Sequence, residues 1–453
     1  MKTWTPEQVA QAAGARLIAP PPTTGGPSIA TIDSRQVQPG TLFVGLPGAN
    51  ADGGAFAPQA LANQAWGILT TPQHAQAATC APPGVLLAAE DPLKALQNLA
   101  KAWRHSLNSK VIGITGSTGK TTTKDLANAL ISPHRKTVAS RQNFNTEIGL
   151  PLEILNAPAD TEALILEMAM RGAGQIAELA QIAEPDVGVI VNVGPVHLEL
   201  LHTIEAIAAA KAELIAALKP TGTAVIPANE PLLEPHRRPD INTITFGDHG
   251  DVRPLSISDA AIEIALPGSD PIHLNLDFTA AHLRTNLLAA VAAAHAIDVT
   301  PTGQINLERS AGRGQTTTLP DDITLIDDCY NANPMSMRAA LDELAATAER
   351  QQSNRTVAVL GDMLELGPRE REFHEEIGAY AQAKNIDVLV TVGPLATSIA
   401  EAFAGAAYPV ADAQEAAALL PELLEPGDVV LIKASRGVGL ELVCDALTAR
   451  VTQ

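Results

Sequence analysis

The strongest chemical signal in the sequence is Thr115-Gly116-Ser117-Thr118-Gly119-Lys120-Thr121, with Thr122 next, which leaves an apolar run and opens a helical pattern. Glycines let successive backbone N–H groups wrap a phosphate, and the N-terminus of a helix adds partial positive charge. Lys120 can then reach the outer phosphates and the Thr121 hydroxyl can hold Mg2+. The usual first glycine of such a loop is Ile114 here, flanked by Gly113 and Gly116. Two further polar residues lie just past strand-like runs: Glu167 closes Ala163 to Leu166, and His197 follows Val187 to Val193 through Gly194-Pro195. Open α/β sheets bind ligands at the carboxyl ends of their strands, so a carboxylate and a neutral imidazole brought to one edge could hold a divalent ion.

Lys211 is the most informative single residue. The helical pattern from Thr203 to Lys219 has apolar positions at Ile204, Ile207, Ala208, Leu214, Ile215 and Leu218, and a 3.6-residue period sets Lys211 in the middle of that stripe. Burial disfavours an ammonium, so an inward lysine must pair, bind phosphate or be chemically altered. A lysine snorkelling from the edge of the stripe is the alternative. Asp328-Cys329-Tyr330-Asn331-Ala332-Asn333-Pro334 leaves another β-run and gathers the carboxylate, flat ring and amides that a ribose and base want; Asn333-Pro334 also reads as a plain helix start. Arg313, between Gly312 and Gly314, could reach a phosphate.

The elements that must position these groups follow from length and texture. At 453 residues the chain suits about three domains, and 46% hydrophobic with 18% charged residues describes a folded globular protein. A formal charge of −20 argues against nucleic-acid partners and against anionic membranes, so an anionic ligand must be held by local donors. Met1 to Glu7 has no apolar leader character and no stretch is long enough to span a bilayer, which predicts a soluble, cytoplasmic protein without membrane insertion. Cys80, Cys329 and Cys444 lie far apart with no metal-ligand spacing, so no zinc site is implied. The first hundred residues mix short strands (Ser28 to Asp33, Thr41 to Val44, Gly84 to Ala88) with two helical patterns, the second starting at Asp91-Pro92. From Ser109, strands and helices alternate as in βαβ units with a parallel sheet. A β-rich stretch, Ile241 to Phe278, extends this middle part, and after Arg313 the alternation resumes as a doubly wound domain.

At this point the sequence resembles the Mur ligases, ATP-dependent amide-forming enzymes of peptidoglycan precursor synthesis. The anchors are the phosphate loop, Asn143-Phe144-Asn145-Thr146-Glu147-Ile148-Gly149-Leu150-Pro151, Glu167-Met168-Ala169-Met170-Arg171-Gly172, Asn192 to Glu199, Lys211-Ala212-Glu213, His282 with Asn286, and Asp328 to Pro334. Gly361 to Gly367 and Lys433-Ala434-Ser435-Arg436 resemble the D-Ala-D-Ala-adding branch. The resemblance implies an α/β protein of three domains: an N-terminal α/β domain for a UDP-linked substrate (1–107), a central P-loop ATPase domain with a parallel sheet (108–313) and a C-terminal Rossmann-like domain (314–453). It implies ATP and two Mg2+ as cofactors, and UDP-N-acetylmuramoyl-tripeptide and D-alanyl-D-alanine as substrates of a monomer. Lys120 and Arg313 are then expected at the γ-phosphate, Thr121 and Glu167 at one Mg2+, and His197 at the second. Lys211 matches a lysine that the family carbamylates with CO2. Asn286 matches an adenine-side amide, Asp328 a ribose contact, and Tyr330 and Asn331 the nucleotide edge of the third domain. Substrate contacts are expected from Ser34 and Arg35, from Asn143, Thr146 and Arg171, and from Asn333, Ser435 and Arg436. Three departures stand out: Gly54 where many relatives carry histidine, Ala280-Ala281 before His282 in place of Gly-Arg, and Ala169 in place of a glycine. The rival readings are another amide ligase of the superfamily, third-residue-adding or folylpolyglutamate type, and a nucleotide-regulated binding protein.

Overall fold

Apolar runs that do not alternate need cover on both faces, which parallel strands receive when helices flank them. The protein is seen in a computed structural model that describes every residue except 20, 21, 50, 142, 308, 309, 354 and 450–453. It builds three such layers in chain order. The first is a five-stranded sheet ordered Arg16–Leu17, Val85–Ala88, Gly67–Thr70, Thr41–Val44, Ile29–Thr31, parallel except at its first pair. The second is six-stranded and wholly parallel: Asn242–Phe246, Thr223–Pro227, Val187–Ile190, Lys110–Thr115, Ala163–Glu167, Thr137–Ala139. The third is ordered Gln315–Thr318, Thr324–Asp327, Val429–Lys433, Thr356–Gly361, Val388–Val392, Ala406–Val410, with only the Gln315–Thr318 edge strand antiparallel.

Register in the second sheet decides where the chemistry sits. Ile114 pairs with Glu167 on one side and Thr115 with Ile190 on the other, so the phosphate loop leaves the sheet level with Glu167 and with the segment that leads to His197. The helix Ile204–Ala217 is capped by Thr203, whose hydroxyl accepts from the Ala206 N–H at 3.1 Å, and it lies close against this sheet. Two glycines allow that approach. A Cβ at Gly188 would stand 3.0 Å from Leu214 Cγ, and one at Gly113 3.3 Å from Leu214 Cδ1. Lys211, one turn before Leu214, is thereby carried inward.

Several expectations change in detail. The Val187 run ends as a strand at Ile190, because Asn192 and Gly194 turn back to the phosphate loop. The β-rich stretch after Ile241 is split: its first strand joins the central sheet, while Arg253–Ile257, Ala261–Leu266, Ser269–Leu276 and Gly303–Ile305 form a separate four-stranded sheet. The first hundred residues hold helices Ala57–Ala62 and Pro72–Ala77 besides Pro6–Ala13 and Pro92–Ser106, pieces too short to show a period. Asp91 caps its helix as the sequence requires, accepting from the Lys94 N–H at 2.9 Å.

In the third layer, His374 is fully buried; its Nε2 accepts from the Met363 N–H at 2.9 Å and its Nδ1 donates to the Glu370 carbonyl at 2.6 Å. Burial holds this imidazole below its ordinary value and so neutral, which ties down the loop that follows Thr356–Gly361. Gly188→Val is expected to push the helix bearing Lys211 off the sheet, at about 1–3 kcal/mol for overpacking. A fall in the urea midpoint at unchanged m-value would register it.

Candidate active site

The helix Lys120–Ile131 begins at Gly119, which has φ +74° and offers no side-chain cap. Its first-turn N–H groups are left for an external acceptor, the arrangement that binds phosphate. The left-handed glycine is packed tightly, since a Cβ there would lie 2.6 Å from Asn286 Oδ1. The loop is braced from the neighbouring strand: Asn192 Oδ1 accepts from the Ser117 and Thr118 N–H groups, both at 3.0 Å, and Asn192 Nδ2 donates to Thr118 Oγ1 at 2.9 Å. Ser117 Oγ donates to the Gly194 carbonyl at 3.0 Å. Gly116 packs on Val191. The buried Thr115 hydroxyl has no hydrogen-bond partner among the described residues, and Thr122 is half-buried on the first turn.

Glu167 is 1% exposed, and its carboxylate is held by two donors, Thr121 Oγ1 at 2.7 Å and Asn145 Nδ2 at 2.8 Å. A hydroxyl and a carboxylate touching at the mouth of a phosphate loop are hard oxygen donors that suit Mg2+. Lys120 folds back to the Gly116 carbonyl at 2.8 Å. Burial pulls its ammonium below the ordinary lysine value, Glu167 opposes that pull and Arg313 adds to it.

Lys211 is 1% exposed, as its place in the apolar stripe requires. Burial lowers its pKa well below the ordinary lysine value and Lys120 pushes in the same direction. No acidic side chain forms an ion pair with it among the described residues. His197, at φ +55° ahead of the short helix Leu198–Leu201, is half-buried; burial lowers its pKa, Glu365 raises it, and Lys120 and Lys211 lower it further. Its Nδ1 meets Glu365 Oε2 at 2.5 Å.

The third domain therefore reaches into the site. Glu365 also approaches Arg171, at 3.6 Å, and its carbonyl accepts from the Glu199 N–H at 3.4 Å. Met335 packs against Gly194 so closely that a Cβ at 194 would strike its sulfur. Tyr330 lies between two guanidiniums, Arg313 at 4.0 Å and Arg436 at 5.3 Å from the ring centre, contacts that suit cation–π attraction. Asp328 accepts from Lys433 Nζ at 2.6 Å, and Lys433 also donates to the Asn331 carbonyl at 2.8 Å. The Asn333 side chain accepts from the Ser336 N–H at 3.0 Å and starts the helix Pro334–Gln351. Ser435 Oγ is buried, accepting from the Leu364 N–H at 2.9 Å.

The remaining candidates stand apart from the phosphate loop. Asn143 and Thr146 are exposed in the segment that carries Asn145. Ser34 and Arg35 open a short helical turn in the first domain, where Arg35 reaches Asp33 at 2.8 Å. The first departure has a structural counterpart: the ring of His74 fills the space beside Gly54, 2.4 Å from where a Cβ would be, and its Nε2 meets Asp52 at 2.9 Å. At the third departure, the Ala169 N–H donates to the Asn145 carbonyl at 2.9 Å.

With this geometry in hand, three family models match the chain: "Mur ligase family, catalytic domain" over 28–104, "Mur ligase middle domain" over 114–294 and "Mur ligase, glutamate ligase domain" over 312–436. The UDP-N-acetylmuramoyl-tripeptide–D-alanyl-D-alanine ligase of Synechocystis sp. is 37% identical, over 92% of this chain and 91% of its own. The chain belongs to the Mur ligase family. Among solved structures, MurF from Acinetobacter baumannii covers the whole of both chains at a TM-score of 0.88 and 27% identity. MurF from Thermotoga maritima, solved with ADP, gives 0.80 and 30% over 94% of this chain and 98% of its own. No helix among the described residues is long and apolar enough to cross a membrane.

Sequence reasoning about this Mur ligase missed three residues. Asn145 and Asn192 sit in quoted motifs, yet an amide gives no charge signal and only the fold turns each toward its partner. Glu365 could have been flagged by its place in the Gly361 to Gly367 segment, but its partner His197 lies 168 positions away.

The buried amine sets a pH dependence. Because the folded pKa of Lys211 is depressed, the unfolded chain binds more protons between that value and the ordinary lysine range, and stability rises with pH across this window. In CO2-depleted buffer at neutral pH, Lys211→Met is expected to be more stable than the parent, because it removes the cost of the buried amine. The gap should close as pH approaches about 10. Parallel stability curves for the two proteins from pH 7 to 10 would contradict this.

Proposed function

We propose that the protein is an ATP-dependent ligase that joins D-alanyl-D-alanine to UDP-N-acetylmuramoyl-tripeptide through an acyl phosphate, a step of peptidoglycan synthesis and so of cell-wall growth and division. The observation that carries this reading is that Glu167, Arg313, Lys211 and His197 are each near enough to Lys120 to interact with its charge, beside an uncapped helix N-terminus. The acceptor is taken from the relatives, which are named for adding D-alanyl-D-alanine. They are also what sets this reading above a folylpolyglutamate-type or third-residue-adding ligase. A slow nucleotide-regulated binding protein would have no use for the Lys211 amine.

In this reading the tripeptide carboxylate attacks the γ-phosphorus of ATP, ADP leaves, and the amine of D-alanyl-D-alanine then displaces phosphate from the acyl carbon. Lys120 and Arg313 neutralise charge that builds on the equatorial oxygens, and the first-turn N–H groups hold the phosphates in line. Thr121 and Glu167 hold one Mg2+, and His197 with a carbamylated Lys211 holds a second. Bound there, Mg2+ supplies electrostatic neutralisation of the transferring phosphoryl group. Carbamylation forms an N–C bond between the neutral Lys211 amine and CO2 and releases one proton to solvent, turning an uncompensated buried amine into an anion. Asn286 flanks the nucleotide, Asp328 takes the ribose, and Tyr330 and Asn331 form its outer edge.

Residues 1–107, 108–313 and 314–453 act as the three working bodies. Ser34 and Arg35 receive the uridine nucleotide; Asn143, Thr146 and Arg171 line the tripeptide path; Asn333, Ser435 and Arg436 belong to the acceptor side. The protein works as a cytoplasmic monomer. Closure of the third domain excludes water from the acyl phosphate.

Purified protein is expected to form ADP and pentapeptide product only when both substrates are supplied, and equal ATP turnover with and without them would defeat the proposal. Lys211→Ala should lose at least about a hundredfold in kcat, with partial rescue by short-chain carboxylates, on the scale set by removing one electrostatic stabiliser. Glu167→Gln should raise the Mg2+ concentration needed for half-maximal rate; an unchanged Mg2+ titration would take Glu167 out of the metal site.

A further inference from the structure

The cysteines show no metal-ligand spacing in sequence, but folding brings two of them together. Cys329 leaves the strand Thr324–Asp327 and Cys444 lies on the helix Glu441–Thr448. With Asp327 they present two sulfurs and a carboxylate oxygen that all lie within 4.8 Å of one another. Around a tetrahedral Zn2+ with metal–sulfur bonds of about 2.3 Å, the ligand atoms stand roughly 3.5–4 Å apart, so the set needs to contract by no more than about 1.3 Å. Both cysteines are 6% exposed, whereas Asp327 is half-buried and gives an ion a way in. One Asp327 oxygen accepts from the Cys329 N–H at 3.2 Å, which orients the carboxylate and leaves its second oxygen for the metal.

We propose that Asp327, Cys329 and Cys444 form a binding site for one thiophilic divalent cation of the Zn2+ class, apart from the phosphate site. This does not depend on the ligase reading. Two thiolates with one carboxylate select such an ion over Mg2+, and three protein ligands leave the fourth position to water. Hydrogen bonding with Cys329, burial and the Asp327 charge raise the Cys444 thiol far above its ordinary value. Binding forms two metal–sulfur bonds and releases two protons to solvent. The site lies beneath the linker that carries Arg313: a Cβ at Gly312 would stand 3.5 Å from Cys329 Sγ, and the Tyr330 N–H donates to the Gly312 carbonyl at 3.0 Å. An ion here ties the helix Glu441–Thr448 to the segment on which Arg313 and Tyr330 depend.

The test is titration of the reduced full chain with Co2+, followed by Zn2+. One equivalent of Co2+ should give intense sulfur-to-cobalt absorption that Zn2+ abolishes. Cys80→Ser should retain this absorption. Cys444→Ser should lose it while keeping the thermal midpoint of the parent. Asp327→Asn, which leaves both sulfurs in place, should bind Co2+ at least about tenfold more weakly. No sulfur-to-cobalt absorption in the reduced parent, undiminished absorption in Cys444→Ser, or loss of two hydrogens by mass with no bound metal would each overturn the proposal.

Discussion

Parallel strands all end at one edge, and the chemistry of this protein depends on which of them are neighbours. The phosphate-loop strand lies between the strand that ends in Glu167 and the strand that leads toward His197, in registers that leave their ends level. Nothing in the chain order demands this; it follows from crossovers that place the first, third and fourth strands of that sheet side by side. Given the arrangement, the Thr121 hydroxyl and the Glu167 carboxylate meet at 2.7 Å without any long side chain having to reach, and the segment bearing His197 leaves the sheet on the other side of the loop. Asn192 then fixes the loop from the adjoining segment with three hydrogen bonds of 3.0 Å or less.

The cations at this edge are kept close by different means. Among the described residues the Lys211 side chain has no polar partner, and packing holds it on a helix that two glycines allow to settle on the sheet. Arg313 and Arg436 share a tyrosine ring, which lets like charges approach without a carboxylate between them. The local excess of positive charge in a chain of net charge −20 is what an anionic nucleotide requires. Glu365 enters from the third domain and closes onto His197 at 2.5 Å, so the second domain meets the loop fastened by His374 there.

Much of this was readable before any coordinates. Runs such as Thr41–Val44 and Ala163–Glu167 are strands over the residues expected, because buried parallel strands have abrupt apolar borders. The inward turn of Lys211 followed from one helical period. What escaped detection was either short, like the helices Ala57–Ala62 and Pro72–Ala77, or dependent on distant partners. Asn145 on Glu167 and Glu365 on His197 arise from tertiary placement of residues with no local pattern. The meeting of Cys329 with Cys444 is of the same kind: spacing argued against it, and only the third sheet with its final helix brings the two together.

The ring of His74, on the helix Pro72–Ala77, makes the choice of residue at position 54 a steric one. A side chain at position 54 and an imidazole at position 74 compete for one volume, as the 2.4 Å approach makes plain. Grafting a bulkier residue onto position 54 alone would meet an occupied space, so accommodating it requires the His74 ring to turn away and give up its 2.9 Å contact with Asp52.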